Sequence, residues 1–174
     1  MTAALQRPAA EEFRDVIGHF ATGVTIVTAR HEDTSFGTTA SAVCSLSLEP
    51  PMLLVCMNKA SQTGQAIEAD GRFAVNILSE EQPDLAKRFA RKGGAFDDVP
   101  VEPGSWGEPL LSDALATLEC HVAEEVTGGT HTVFIAEVGQ ATVRRGLAPL
   151  AYFRGRFHAL GALEEQELIK QKEE

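Results

Sequence analysis

The fold class that the sequence predicts is mainly β, a closed or half-closed antiparallel barrel with short helices packed outside. Six or seven extended, β-branched runs are separated by turn residues, and two or three short helical segments fall among them without strict alternation. Regular β-α-β alternation would point to a doubly wound parallel sheet, so its absence decides between the two. The 174 residues suit one domain that can bury its own core, and neither a repeat nor a linker interrupts it.

Residues 10–20 read as an amphipathic helix, with Phe13, Val16, Ile17 and Phe20 at helical spacing and Gly23 closing it. VTIVTA at 24–29 is a β-branched strand, and HEDTSFG supplies a polar turn. A second strand is expected from Thr38 through TTASAVCSLS towards Glu49-Pro50-Pro51. The two prolines stop the ladder and start a new run, MLLVCMN, which reads as buried on both faces. Ser61 and Thr63 open a short helix that Gly71 closes. RFAVNIL follows as a strand. Ser79 and Gln82 match a capping box ahead of a second helix through Leu85, Phe89 and Ala90, with Pro83 in its first turn. From Lys92 to Leu111 the chain is rich in Gly, Pro and Asp and reads as a long surface excursion. Three extended runs complete it: ALATLECHVAEEV, HTVFIAEVGQATV and PLAYFRGRFHAL, the last a pair of short strands around Gly155.

The formal net charge is −10, from 25 acidic and 15 basic residues, with no local Lys/Arg cluster. That balance repels nucleic acid and anionic membranes. No apolar run approaches the roughly 18 residues of a membrane helix, and MTAALQRPAAEEF lacks the pattern of an export signal. A cytoplasmic location is the expectation. Cys44, Cys56 and Cys120 are odd in number, widely spaced and set in apolar runs, which argues against disulfides and zinc and for buried, reduced thiols. No G-x-G-x-x-G follows a strand, and no P-loop, H-E-x-x-H or G-x-S-x-G is present. The five histidines form no i,i+4 pair, and His121 and Cys120 point to opposite faces of a strand, so no metal site is expected.

Four groups of residues remain as candidates. Asn58, Lys59, Ser61 and Thr63 combine a cation, hydroxyls and a helix start, which suits an anion or a plain helix cap. Thr38-Thr39-Ala40-Ser41 offers small side chains and an approachable backbone, or an ordinary Thr/Ser-rich edge strand. His131 follows a Gly128-Gly129-Thr130 turn, and as a lone histidine it reads first as a structural or merely exposed residue. Tyr152, Phe153 and Arg154 could flank a ring or a phosphate, with at least one aromatic in the core because neighbours on a strand face opposite ways. These residues imply a small-molecule site without naming a reaction.

The order and spacing of several motifs go further. GVTIVTA, FGTTASAVCSLSLEPPMLLVCMNKASQT, RFAVNIL, the Gln82–Ala90 segment, LEC at 118–120, GTH at 129–131 and PLAYFRGRF at 149–157 resemble the flavin reductase-like family. These are the reductase components of two-component flavin-dependent monooxygenases. The resemblance spans residues 12–160, which leaves an N-terminal extension at 1–11 and a charged tail at 161–174.

The resemblance implies a split β-barrel of Greek-key type that forms a homodimer, with the flavin near the interface. It implies non-covalent, exchangeable FMN or FAD, reduced by NADH or NADPH and passed to a partner monooxygenase. One rival of the same class keeps its flavin fixed and reduces another acceptor; a rival of another class binds flavin without turnover. In the implied site Thr38, Thr39, Ala40 and Ser41 approach the ring, while Asn58, Lys59, Ser61 and Thr63 take the phosphate. Arg88 and Arg91 add charge or form a solvated helix face, and Ser47, Phe89, Tyr152, Phe153 and Arg154 complete the cofactor-binding set. His131 faces the nicotinamide as a positioning residue. The family commonly has an acidic residue where Thr130 stands, and a tyrosine where Phe157 stands.

Overall fold

The protein is described by a computed structural model over residues 7–91, 93, 94 and 96–161. Residues 162–174 of the charged tail and residues 1–6 of the extension lie outside the described residues. Among the described residues three helices are formed, α1 (Ala10–Ile17), α2 (Gln62–Asp70) and α3 (Pro83–Phe89). The strands are β1 (Thr22–Gly23), β2 (Thr25–His31), β3 (Thr34–Ala40), β4 (Val43–Leu48), β5 (Pro51–Asn58) and β6 (Arg72–Ile77). They continue as β7 (Val101–Pro103), β8 (Pro109–Leu111), β9 (Ala116–Gly128), β10 (His131–Val143), β11 (Leu150–Phe153) and β12 (Arg156–Ala159). The main sheet has seven strands in the order β3-β2-β6-β9-β10-β5-β4, each neighbouring pair antiparallel. A three-stranded sheet β1-β11-β12 and the β7-β8 hairpin flank it.

The mainly β expectation holds, but the barrel is not closed. Strands β3 and β4, consecutive in the chain, are the two edges of the sheet, and no ladder joins them. The single strand expected from Thr38 onward is therefore two, broken at Ser41-Ala42, where the chain leaves one edge for the other. Residues assigned to the HEDTSFG turn are largely strand as well, because β3 starts at Thr34 and pairs with β2 from His31↔Thr34 to Thr25↔Ala40.

Three more differences have local causes. Helix α1 ends at Gly18 and none of its residues is buried, so its apolar stripe faces outward. Gly23 instead pairs with Ala151 in the small sheet. In β5 only Leu53, Val55 and Met57 are buried, since the other face opens onto a groove. Cys44 is exposed on the edge strand β4, while Cys120 is buried in central β9. The 92–111 excursion contains the β7-β8 hairpin.

Two apolar clusters form the core. One sandwiches Ala66 and Ile67 of α2 against Val27, Val55, Phe73, Val75 and Phe134 of the sheet. The other gathers Ala86 and Phe89 of α3 with Ile26, Leu78, Leu111 and Leu150. Helix starts follow the sequence chemistry. Ser61 caps α2 by accepting from Gly64 N, and Gly71 closes it at a φ of 69°. Ahead of α3, Gln82 Oε1 accepts from Ser79 N at 3.0 Å, one arm of the expected capping box. No helix among the described residues is long and apolar enough to cross a membrane.

Candidate functional site

A cleft of about 510 Å³ lies between β3, the start of α2 and the end of α3. Its polar wall is a cluster of three hydroxyls. Thr38 Oγ1 stands 2.8 Å from Thr63 Oγ1 and 3.4 Å from Ser61 Oγ. Ser61 is the N-cap of α2, and the first turn of that helix carries no acidic residue. Unpaired first-turn N–H groups and the helix dipole then add positive potential where the hydroxyls converge. Asn58 Oδ1 accepts from Ala60 N at 2.9 Å and shapes the turn that leads in. Opposite lie Phe89, 1% exposed, and Arg91.

Gly37 sets the width of this cleft. A Cβ there would stand 2.6 Å from the Phe89 ring and 3.1 Å from Phe96, so only glycine lets β3 approach α3. The sequence reading missed Gly37, although a glycine inside a strand pattern signals close approach. Thus the cleft unites six candidates: Thr38, Asn58, Ser61, Thr63, Phe89 and Arg91.

The other candidates lie elsewhere. Thr39 alternates away from Thr38 and donates to Ala86 O at 2.7 Å, tying β3 to α3. Ala40 packs on the core and its carbonyl accepts from Thr25 Oγ1 at 2.8 Å. Ser41, Tyr152 and Arg154 line a second cleft of about 730 Å³ beside α1. Thr22 joins them with a buried Oγ1 that has no hydrogen-bond partner. Ser47 lines an apolar groove of about 790 Å³ along β4 and β5, and its Oγ accepts from Glu49 N. Arg88 donates to the Asp97 carbonyl, within the excursion. Phe153 packs edge-on to His19 and His158.

His131 does not line the first cleft, but sheet register sets it beside Asn58, which does. It pairs directly with Asn58, so the two side chains share a face, and Lys59 N donates to Thr130 O at 3.0 Å. The GTH turn is thereby fastened beside the Asn58–Ser61 turn, although 72 positions separate His131 from Lys59 in the chain numbering. Thr130 Oγ1 lies 3.0 Å from His131 Nδ1, a hydroxyl contact in place of an acidic one.

The flavin reductase like domain matches residues 17–161. The reductase component of a 4-nitrophenol 4-monooxygenase/4-nitrocatechol 2-monooxygenase from Rhodococcus opacus is 50% identical over 147 residues, covering 84% of this chain and 78% of its own. The FMN reductase (NADH) SmoA of Agrobacterium fabrum is 39% identical over 145 residues, 83% of each chain. Among solved structures, the NADH:FAD oxidoreductase SgcE6 of Streptomyces globisporus, in complex with NAD and FAD fragments, has a TM-score of 0.84 at 36% identity, covering 91% of this chain and 98% of its own. Matched over residues 17–161 by the family model and at 50% identity by a named reductase component, the chain belongs to the family of flavin reductase like domains.

Proposed function

We propose that this chain is a flavin reductase, passing electrons from a reduced nicotinamide to a non-covalently held flavin that serves a separate monooxygenase. The carrying observation is the hydroxyl cluster of Thr38, Ser61 and Thr63 at the start of α2, in a chain of this family. Hydroxyl donors at an acid-free helix N-terminus fit the phosphate of FMN or FAD. Gly37 supports the same site from the other side, because it lets the Phe89 wall close on β3. A flavin held there supplies a hydride-accepting ring, and the electrons leave with it on release.

The protein's own residues bind and orient. Asn58 frames the phosphate turn, Lys59 beside it adds a cation from outside the cleft lining, Phe89 gives an apolar wall, and Arg91 adds positive charge at the cleft. Thr39 and Ala40 are turned into the fold, so β3 presents backbone and the Thr38 hydroxyl to the ring. His131, beside Asn58, holds the nicotinamide against the flavin as a positioning residue; hydride transfer itself needs no protein acid or base. Ser41, Tyr152 and Arg154 flank a further ring or phosphate from the second cleft. Ser47 adds a hydroxyl from the apolar groove, and Arg88 and Phe153 support the walls. NADH is the donor in the names of two relatives, and we assign it here.

The outward stripe of α1, with Val16 66% exposed, Phe20 just beyond the helix at 72%, and the apolar groove beside it support a homodimer that completes a split barrel. Leu48, 93% exposed on edge strand β4, lines the same groove. A cytoplasmic location accompanies this reading. The test is steady-state NADH and NADPH oxidation with riboflavin, FMN and FAD in turn, with light scattering on the same sample. A colourless dimer whose NADH oxidation depends on added flavin is expected. Yellow protein indifferent to added flavin, or no turnover, would overturn the proposed activity, and an active monomer would overturn the dimer.

A further inference from the structure

The tip of the β7-β8 hairpin buries a carboxyl group that flavin chemistry does not use. Glu108 is 1% exposed, its Oε2 accepts from Trp106 N at 3.1 Å, and its Oε1 has no hydrogen-bond partner among the described residues. Glu119 on β9 is 7% exposed, and its Oε2 accepts from Ser105 N at 2.6 Å. Two acidic side chains thus hold the neighbouring N–H groups of Ser105 and Trp106, which brings their carboxyl groups to one end of the loop. The loop closes tightly over them, since a Cβ on Gly104 would stand 2.7 Å from the Glu108 carboxyl. Two carboxylates cannot share such a dry place cheaply, whereas one proton turns their repulsion into a short O–H···O bond. That proton also gives the orphaned oxygen a partner.

We propose that Glu108 carries a proton that it donates to the Glu119 carboxylate, and that this O–H···O bond latches the 104–108 loop to the main sheet. Burial first, then the charge of Glu119, pushes the Glu108 carboxyl above its ordinary range, against smaller lowering by backbone N–H groups. The folded protein therefore binds this proton more tightly than the unfolded chain does. The latch is complete on the acid side and is lost as pH climbs from the ordinary carboxyl range through the raised one. Movement is confined to the tip. Leu111 N donates to buried Asn76 Oδ1 at 2.8 Å, and Thr28 donates to the Pro109 carbonyl, so β8 stays anchored.

Other charged groups surround the loop. Arg30 of β2 approaches Gly107, and Glu32, Asp70 and Arg72 line the same small cleft as Glu108. The Arg72 guanidinium also lies over the Trp106 ring, 5.5 Å from its centroid. From β9, Cys120 has a thiol that burial, then Glu108 and Glu119, pushes up to about 12. His121, also on β9, packs 6.3 Å from the Trp106 ring and pairs with Glu137 of β10 at 3.4 Å.

Trp106 is the only tryptophan in the chain, so its fluorescence reads the loop directly. Emission is followed from about pH 5 to about pH 9 in the full chain and in Glu108→Gln, Glu119→Gln and His121→Gln. The wild type is expected to shift emission with rising pH as Trp106 leaves its packed place. Glu108→Gln, whose amide mimics the protonated carboxyl, stays in the low-pH state throughout. Glu119→Gln moves the midpoint lower by about one pH unit or more, and His121→Gln leaves it in place. A flat wild-type profile, a transition that survives in Glu108→Gln, or one abolished by His121→Gln would overturn the latch. Hydrogen exchange on the wild type alone provides the check should a variant fail to fold. Protection at Ser105 and Trp106, corrected for intrinsic base catalysis, must fall before that of β8, and loss in step with β8 refutes the proposal.

Discussion

Removing the hydroxyls of Ser61 and Thr63 together, as Ser61→Ala with Thr63→Ala, separates phosphate binding from ring binding. Both oxygens converge on Thr38 Oγ1, at 3.4 Å and 2.8 Å, so the double change strips two of the three hydroxyls from the cleft wall. A hydrogen bond to a charged group contributes about 1.5–3 kcal/mol, so losing two predicts a loss of about 3–6 kcal/mol. That is about 140-fold to 20,000-fold in Kd for FMN and FAD. Riboflavin has the same ring without the phosphate, and its use should change by less than about threefold, under 1 kcal/mol. The fold itself loses the α2 cap, about 1 kcal/mol, which lowers Tm by about 2–4 °C in a chain of this size. Flavin fluorescence quenching with each of the three flavins, together with thermal melts, measures every one of these quantities. Riboflavin and FMN weakening in step, in a variant that is still folded, would refute the phosphate assignment.

His131→Ala should raise KM for the nicotinamide and lower kcat, by up to about 100-fold for a donor misplaced by about 1 Å, with flavin Kd unchanged; unchanged nicotinamide kinetics would remove the residue from the site. Gly37→Ala drives a methyl into Phe89, and such overpacking costs about 1–3 kcal/mol, so a lower Tm and weaker flavin binding are expected. A variant with wild-type Tm would show that α3 yields freely there. Thiol labelling of the native protein at pH 8 should spare Cys120, whose thiol at about 12 stays protonated; labelling of Cys120 without unfolding, read by peptide mass, would contradict its burial.

The amino-acid sequence determines local matters here, because caps, turns and periodicity are short-range effects. Ser61 and Gly71 bound a helix wherever that helix packs, and HTVFIAEVGQATV is a strand from His131 to Val143 as read. The motif order likewise carried the family, which the match over residues 17–161 bears out. Periodicity failed where a face found no partner within the chain. The stripe of α1 has helical spacing yet stays outside, and every other residue of β5 opens onto a groove. An apolar pattern records that burial is favourable without recording against what.

Only the tertiary structure decided which candidates meet. Thr38 joins Ser61 and Thr63 because α2 packs across β2 and β3, whereas adjacent Thr39 must point the other way and bonds to α3 instead. His131 comes beside Asn58 only through the β10-β5 register, which rests on hydrogen bonds between strands far apart in the chain. Gly37, silent as a lone glycine, acquires its meaning from the Phe89 ring that closes on it. Glu108 reads as one more acid in a Gly/Pro-rich excursion until the hairpin folds it against Glu119. Residue type and local spacing set what each side chain can do. Long-range packing sets whom it does it with, because contact between distant segments is a property of the sheet order and not of any window of sequence.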